Sequence, residues 1–272
     1  MTQELLLWYF KNKRDLPWRK THDPYRIWVS EIILQQTQIK TGIRYYKIFL
    51  KKFPNIKSLA NANDIDVLNI WQGLGYYNRA LNMLTSAKIV IKYHNGIFPS
   101  KYSDLIKLKG VGEYTAAAIS SISAGEKKAV LDGNVYRFLS RLYDISIPIN
   151  TSKGKTTFQN IANKLIPNKE SGTYNQAIME FGSIQCKKYH PKCNTCPLRF
   201  KCKAFKLGTI NIRPVKNISS IAKTRYFNYL LIQYNDKLLI QQRNNQDIWK
   251  KLYEMPLIES THKLTESQIK KH

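Results

Sequence analysis

Apolar residues recur at three- and four-residue intervals through residues 1 to about 205. That spacing lines them up on one face of an α-helix. Polar breaks such as KNKRD, KFPN, NAND and HNGIFPS separate the runs, so this stretch is predicted to be a mostly helical region. In VLDGNVYRFLSRL, residues Val135, Phe138, Leu139 and Leu142 share a face, and a helix is predicted to start just after Asp132. Aspartate is a favoured N-cap, because its carboxylate accepts the orphan N–H groups of the first turn. Trp8, Trp18, Trp28 and Trp71 fall at core positions of their runs. The helical pattern fades at LGTINIRPVKNISSIAKTR, residues 207–225, a stretch marked by Pro214 and low in apolar content that reads as a linker. Beyond it, YFNYLLIQYNDKLLIQQR carries two β-prone runs around YND, the pattern of a hairpin. Residues 226–272 are few for an independent domain and look like the first part of one.

Charge changes the picture more than composition does. Lysine and arginine number 44 against 18 acidic residues, a formal charge of +26. Such a field favours polyanions and speeds encounter with them. The chain is also rich in Asn and Ile, so AT-rich coding accounts for part of the excess; nucleic acid is still the expected partner. An apolar fraction of 43% fits a folded chain rather than a disordered one. There is no apolar run of membrane-spanning length. MTQELLLWYFKNKRDLPWR lacks a basic leader and a small-residue cleavage site, so no signal peptide and a cytoplasmic location are expected.

Two local patterns carry candidate chemistry. The four cysteines all fall in CKKYHPKCNTCPLRFKC, spaced Cys186-x6-Cys193-x2-Cys196-x5-Cys202. A disulfide is disfavoured in a reducing compartment, and four thiolates in one loop suit either a structural zinc ion or an iron–sulfur cluster. Lys187, Lys188, Lys192, Arg199 and Lys201 lie among them, either as a solvated surface or facing a phosphate backbone. The second pattern is LKGVGEYTAAAIS. Gly110 and Gly112 bracket Val111 between two predicted helices, the later one starting near Glu113. Glycines allow a tight turn there, and N–H groups at a helix N-terminus suit a phosphate. Val111 would plug the hairpin, which reads as a helix-hairpin-helix DNA contact.

Taken in order, LPWR, YRIWVSEIILQQTQI, WQGLGYYNRA, LKGVGEYTAAAI, LDGNVYR, NQAIMEFGSIQC and the cysteine loop resemble the A/G-specific adenine DNA glycosylase (MutY) family of the helix-hairpin-helix glycosylase superfamily. The resemblance covers about residues 5 to 205. It implies a mostly α, two-lobed fold: residues 25–130 form the hairpin lobe, and residues 1–24 with 131–205 form a lobe around a [4Fe–4S] cluster held by the four cysteines. It implies a monomeric, monofunctional glycosylase that removes adenine opposite 8-oxoguanine or guanine in double-stranded DNA. Glu31 becomes the acid that protonates adenine N7. It sits among Trp28, Ile32 and Leu34, and burial there would raise its pKa. Asp132, held ionised by the helix dipole, would stabilise the sugar cation. Tyr114 and Asn134 would position sugar and water. Gln36 and Tyr76 would wedge into the duplex as the base is flipped out.

The nearest rival, endonuclease III, is a glycosylase–lyase for oxidised pyrimidines. It carries a Schiff-base lysine where Tyr114 stands here, and tyrosine cannot form that bond. A non-catalytic DNA-binding relic is the third reading, disfavoured by the presence of both carboxylates. In the MutY family a Nudix-like domain follows the linker. YFNYLLIQYNDKLLIQQRNNQDIWKKLYEMP resembles its first strands, with DIWKKLYEMP as its Trp-centred segment. No counterpart of the loop that contacts the damaged guanine follows, and there is no Nudix hydrolase signature.

Overall fold

A computed structural model describes residues 1–217, 224–243 and 249–271. The chain divides into two compact units, Met1–Leu74 with Ala80–Asn217, and Gly75–Arg79 with Ile218–His272. The main unit is helical, as the periodicity predicts. Its helices are α1 (Thr2–Asn12), α2 (Pro24–Leu34), α3 (Ile39–Lys52), α4 (Ile56–Ala60), α5 (Asp64–Trp71), α6 (Asn78–Tyr93), α7 (Tyr102–Leu105), α8 (Glu113–Ala124), α9 (Gly133–Tyr143), α10 (Ser152–Leu165), α11 (Ser171–Glu180) and α12 (Lys203–Lys206). The first residues of α6, up to Arg79, group with the other unit.

Capping explains where the helices that matter for the site begin. Asp23 accepts the Tyr25 N–H at 2.9 Å and Pro24 opens α2 with its φ preset. Asp132 caps α9 by accepting the Val135 N–H at 2.7 Å. The Ala-rich α8 ends at Gly125, whose φ of +69° is the left-handed conformation that releases a chain from a helix. The same α8 is the central element, packed against α2 on one side and α11 on the other. The second contact is close because Gly172 has no side chain. A Cβ there would lie 2.6 Å from the Ser121 carbonyl oxygen.

One core gathers α1, α8, α9, α10 and α11 around Phe181, whose ring meets Trp8 at 4.7 Å and Phe138 at 5.1 Å. Residues at the very start of the chain are therefore packed with residues near 180. A second aromatic group, Phe49 against Trp71 and Trp28 against Phe98, fills the space under α2, α3 and α5. All four tryptophans read as core are buried. Among the described residues, no helix is long and apolar enough to cross a membrane.

The stretch read as a linker is not uniform. Up to Asn217 it is docked on the helical body. The Val215 carbonyl accepts from the Ile149 N–H at 3.0 Å, and Asn150 and Asn217 exchange two hydrogen bonds of 2.9 Å. Main-chain pairing of this kind leaves no trace in apolar periodicity. Residues 218–223 of that linker lie outside the described residues.

In the C-terminal unit, β1 (Tyr226–Tyr229), β2 (Gln233–Tyr234), β3 (Lys237–Leu238), β4 (Gln241–Gln242), β5 (Tyr253–Glu254) and β6 (Leu257–Ser260) pair antiparallel as β1–β6, β2–β3 and β4–β5, and α13 (Glu266–Ile269) follows. The hairpin expected around YND is β2–β3, turned by Asn235 at φ +50°. Asp247 and Ile248 of DIWKKLYEMP lie outside the described residues.

Candidate active site

Four of the residues singled out from the sequence line one cavity of about 560 Å3: Glu31 from α2, Tyr114 from α8, and Asp132 and Asn134 from the start of α9. That volume is within the range of small-ligand pockets. Glu31 sits in a helix that is apolar almost all round, and its side chain is 8% exposed. Burial pushes its carboxyl up to about 7, with a further rise from the nearby charge of Asp132, opposed only by the Tyr114 hydroxyl. Burial likewise raises Tyr114 well above the usual phenol range, and its hydroxyl oxygen lies 3.2 Å from Met179 Sδ.

Asp132 has a different surrounding. One carboxylate oxygen accepts the Val135 N–H and the other accepts Asn134 Nδ2, both at 2.7 Å. Burial still raises its pKa from the ordinary value, against the pull of those hydrogen bonds and of Arg137. The helix terminus and these hydrogen bonds favour the ionised form, and burial opposes them. Desolvation is the larger effect, because the cap residue is also a wall of the cavity.

The far wall was not foreseen. Glu180, at the end of α11, is 1% exposed. It accepts from Arg14 Nε at 2.9 Å, Arg14 Nη2 at 2.5 Å, Arg19 Nη1 at 3.0 Å and Arg19 Nη2 at 2.9 Å. Burial alone would raise this carboxyl; the two guanidiniums reverse that and hold it at about 2. Arg14, Arg19, Gln176, Met179, Glu180 and Ser183 all line the cavity. Arg19 belongs to the LPWR motif, and a glutamate inside the apolar IMEFG run was the available signal for Glu180.

The hairpin has the shape its glycines require. Gly110 sits at φ +77°, and a Cβ there would press on the Asn82 side chain at 3.0 Å. Val111 is buried at 6% exposure, plugging the turn. Gly112 is the N-cap of α8, and the space where its Cβ would point is open. Gln36 lies on the short connection between α2 and α3, exposed and at φ +56°, outside the cavity that its neighbour Gln35 lines. Tyr76 belongs to the other unit, with φ +50°, 53% exposure and the Arg79 guanidinium 5.9 Å from its ring.

Residues 29–168 match the family described as HhH-GPD superfamily base excision DNA repair protein. The chain is 42% identical over 258 residues to an adenine DNA glycosylase of Buchnera aphidicola subsp. Baizongia pistaciae, covering 93% of this chain and 72% of that relative. The chain belongs to the adenine DNA glycosylases of the HhH-GPD superfamily. The adenine DNA glycosylase of Homo sapiens is 38% identical over 209 residues, covering 74% of this chain and 38% of that one. Among solved structures, a thermostable thymine-DNA glycosylase superposes with a TM-score of 0.70 at 28% identity, over 76% of this chain and 95% of that chain. A non-covalent endonuclease III–DNA complex gives 0.65 at 22% identity over 76% of this chain and 94% of that chain, a likeness of fold.

In this adenine DNA glycosylase the four cysteines line a single pocket, walled by Phe138, Leu142, Phe181 and Leu198. No disulfide joins any two of them. Among the described residues no three Cys, His, Asp or Glu side chains stand close enough to share one metal ion. Four cysteines around a common pocket suit a metal centre held by thiolates.

A chain of hydrogen bonds joins this pocket to Asp132. Asn134 Nδ2 donates to Asp132, and Arg137 Nη2 donates to Asn134 Oδ1 at 2.8 Å. Arg137 Nε donates to the Cys186 carbonyl at 2.8 Å. The neighbouring Arg141, 3% exposed, donates to the Lys187 carbonyl at 2.6 Å and approaches Cys186 Sγ at 3.5 Å.

Proposed function

We propose that this glycosylase hydrolyses the N-glycosidic bond of adenine paired with 8-oxoguanine or guanine in duplex DNA. The observation that carries the reading is the pair of carboxylates facing one cavity in unlike surroundings. Glu31 is buried with little hydrogen bonding, and its pKa near 7 keeps a large protonated fraction at neutrality. Asp132 is fixed by a backbone N–H and an amide. One neutral acid and one anion are what departure of a base from a sugar requires.

The steps follow from those roles. An extruded adenine enters between Glu31 and the Arg14–Arg19–Glu180 wall. Glu31 gives its proton to N7, the C1′–N9 bond breaks, and its electron pair leaves with the base. Asp132 opposes the positive charge on the sugar. Water then adds to C1′ and its proton returns to the Glu31 carboxylate, with Tyr114 and Asn134 holding the reactants in place. Tyr114 has no amine to capture the sugar, so the strand stays intact. Cys186, Cys193, Cys196 and Cys202 would hold a [4Fe–4S] cluster, whose part here is to fix the loop that anchors Arg137. Gln36 and Tyr76 would fill the gap that the extruded base leaves, and Gly110–Gly112 would bind a backbone phosphate.

Single-turnover release of adenine from A:8-oxoG and A:G duplexes at fixed salt tests the reading. Release without strand cleavage is the expected result. Cleavage without added base or heat would favour the lyase reading, and binding without release the relic.

A further inference from the structure

A second cleft lies on the other side of the Asp132 turn. It has a volume of about 800 Å3, and its wall includes Gly133, Arg137, Arg141, Lys188, Arg213 and Lys216. These come from three places: the start of α9, the cysteine loop, and the docked segment that ends at Asn217. Five of the six carry positive charge. Arg137 and Arg141 are held in place by carbonyl oxygens, Cys186 and Gly182 for the first, Ile210, Lys187 and Lys188 for the second. Their orientation is thus fixed mainly by main-chain oxygens, with Asp132 reaching Arg137 only through Asn134. Arg213 pairs with Asp144 at 2.9 Å. Lys216 is exposed at the end of the docked segment.

At Gly133 the α9 N-terminus opens outward, since nothing lies within 4 Å of where a Cβ would stand. A concave, fixed, cationic surface beside a helix N-terminus is suited to a phosphate group.

We infer that this cleft binds a backbone phosphate of the DNA strand that carries the extruded adenine, and that Lys216, brought there by the docked segment, is one of its ligands. The inference rests on the glycosylase reading for its choice of DNA. Gly133 and Asn134 are consecutive with Asp132, so a strand whose sugar meets Asp132 runs past the cleft within a nucleotide or two. It gives the segment between α12 and Asn217 a function besides connection. Its pairing with Ile149 and Asn150 places Lys216, and a free tether would not.

The test compares full-length wild type with Lys216→Gln, Lys216→Arg and, as a charge control, Lys92→Gln on α6. Duplex affinity is measured against salt concentration. The slope of log affinity on log salt should fall in magnitude by about 0.9 for Lys216→Gln, the value of one phosphate contact. Lys216→Arg should keep the wild-type slope, and Lys92→Gln should stay within error of it. Adenine release at saturating protein should be unchanged in Lys92→Gln. Equal slopes for Lys216→Gln and Lys92→Gln overturn the inference. So does tripolyphosphate bound without DNA by wild type and lost in Lys216→Gln while the duplex slope stays put, which would assign the cleft to a free anion. Failure of wild type to bind duplex at all would instead count against the glycosylase reading.

Discussion

Two carboxylic acids in one cavity differ in what they are hydrogen-bonded to, and that difference assigns their work. Burial strips water from Glu31 and few donors replace it, so its pKa is raised to about 7. Base release that needs its proton should therefore decline above about pH 7, approaching tenfold per unit, in a single-turnover pH profile. The same shift links to stability. The folded state holds this proton more tightly than the unfolded chain, so its contribution is complete below the ordinary carboxyl range and is lost as pH rises through about 7. Glu31→Gln should abolish adenine release and, at pH 8, unfold in denaturant about 2–3 kcal/mol later than wild type. Asp132→Asn keeps a good N-cap, so α9 should form. Adenine release should fall by about 100-fold or more, while duplex affinity stays near wild type. Both acids were legible in the sequence through their motifs. Glu180 was not assigned, because its partners Arg14 and Arg19 are some 160 residues away and only the fold brings them together.

Helices were the most legible elements, because caps and periodicity are local. Asp132 marks the start of α9 and the glycine pair marks the turn before α8. What stayed hidden is set by backbone contacts between distant segments. After Glu180 the chain runs through a π-helical turn, Phe181–Gln185. Such turns often mark functional sites. Here Gly182 lies so close to α9 that a Cβ would stand 2.7 Å from both Cβ and the carbonyl oxygen of Asn134. Gly182→Ala should cost about 1–3 kcal/mol by overpacking. It should also lower adenine release at saturating protein, because the methyl group displaces the residue that hydrogen-bonds Asp132. A loss of thermal stability with unchanged release would refute this link. The docked segment up to Asn217 was hidden for the same reason, since two asparagines and a main-chain pair hold it rather than an apolar stripe.

On the scale of the whole molecule, charge pointed to a polyanionic partner without saying where it binds. The structure distributes that charge unevenly, into fixed arginines at the cavity wall and near the cysteine loop. Cys196→Ser should lose the broad visible absorbance, near 400 nm, of thiolate-bound iron–sulfur clusters. It should also weaken adenine release through the Arg137–Asn134–Asp132 hydrogen bonds. A colourless wild type containing zinc would overturn the cluster assignment.

The packing of α1 against α11 and Phe181 has a consequence for how this protein is made. Trp8 leaves the ribosome early, but its aromatic partner is synthesised about 170 residues later. At about 5–20 residues per second that is a wait of roughly 10–30 s, with an apolar helix uncovered. Only then can Arg14 and Arg19 meet Glu180 and close the cavity, and the cysteine loop follows at once. A nascent chain stopped before residue 180 would have neither a finished core nor a pocket for a base.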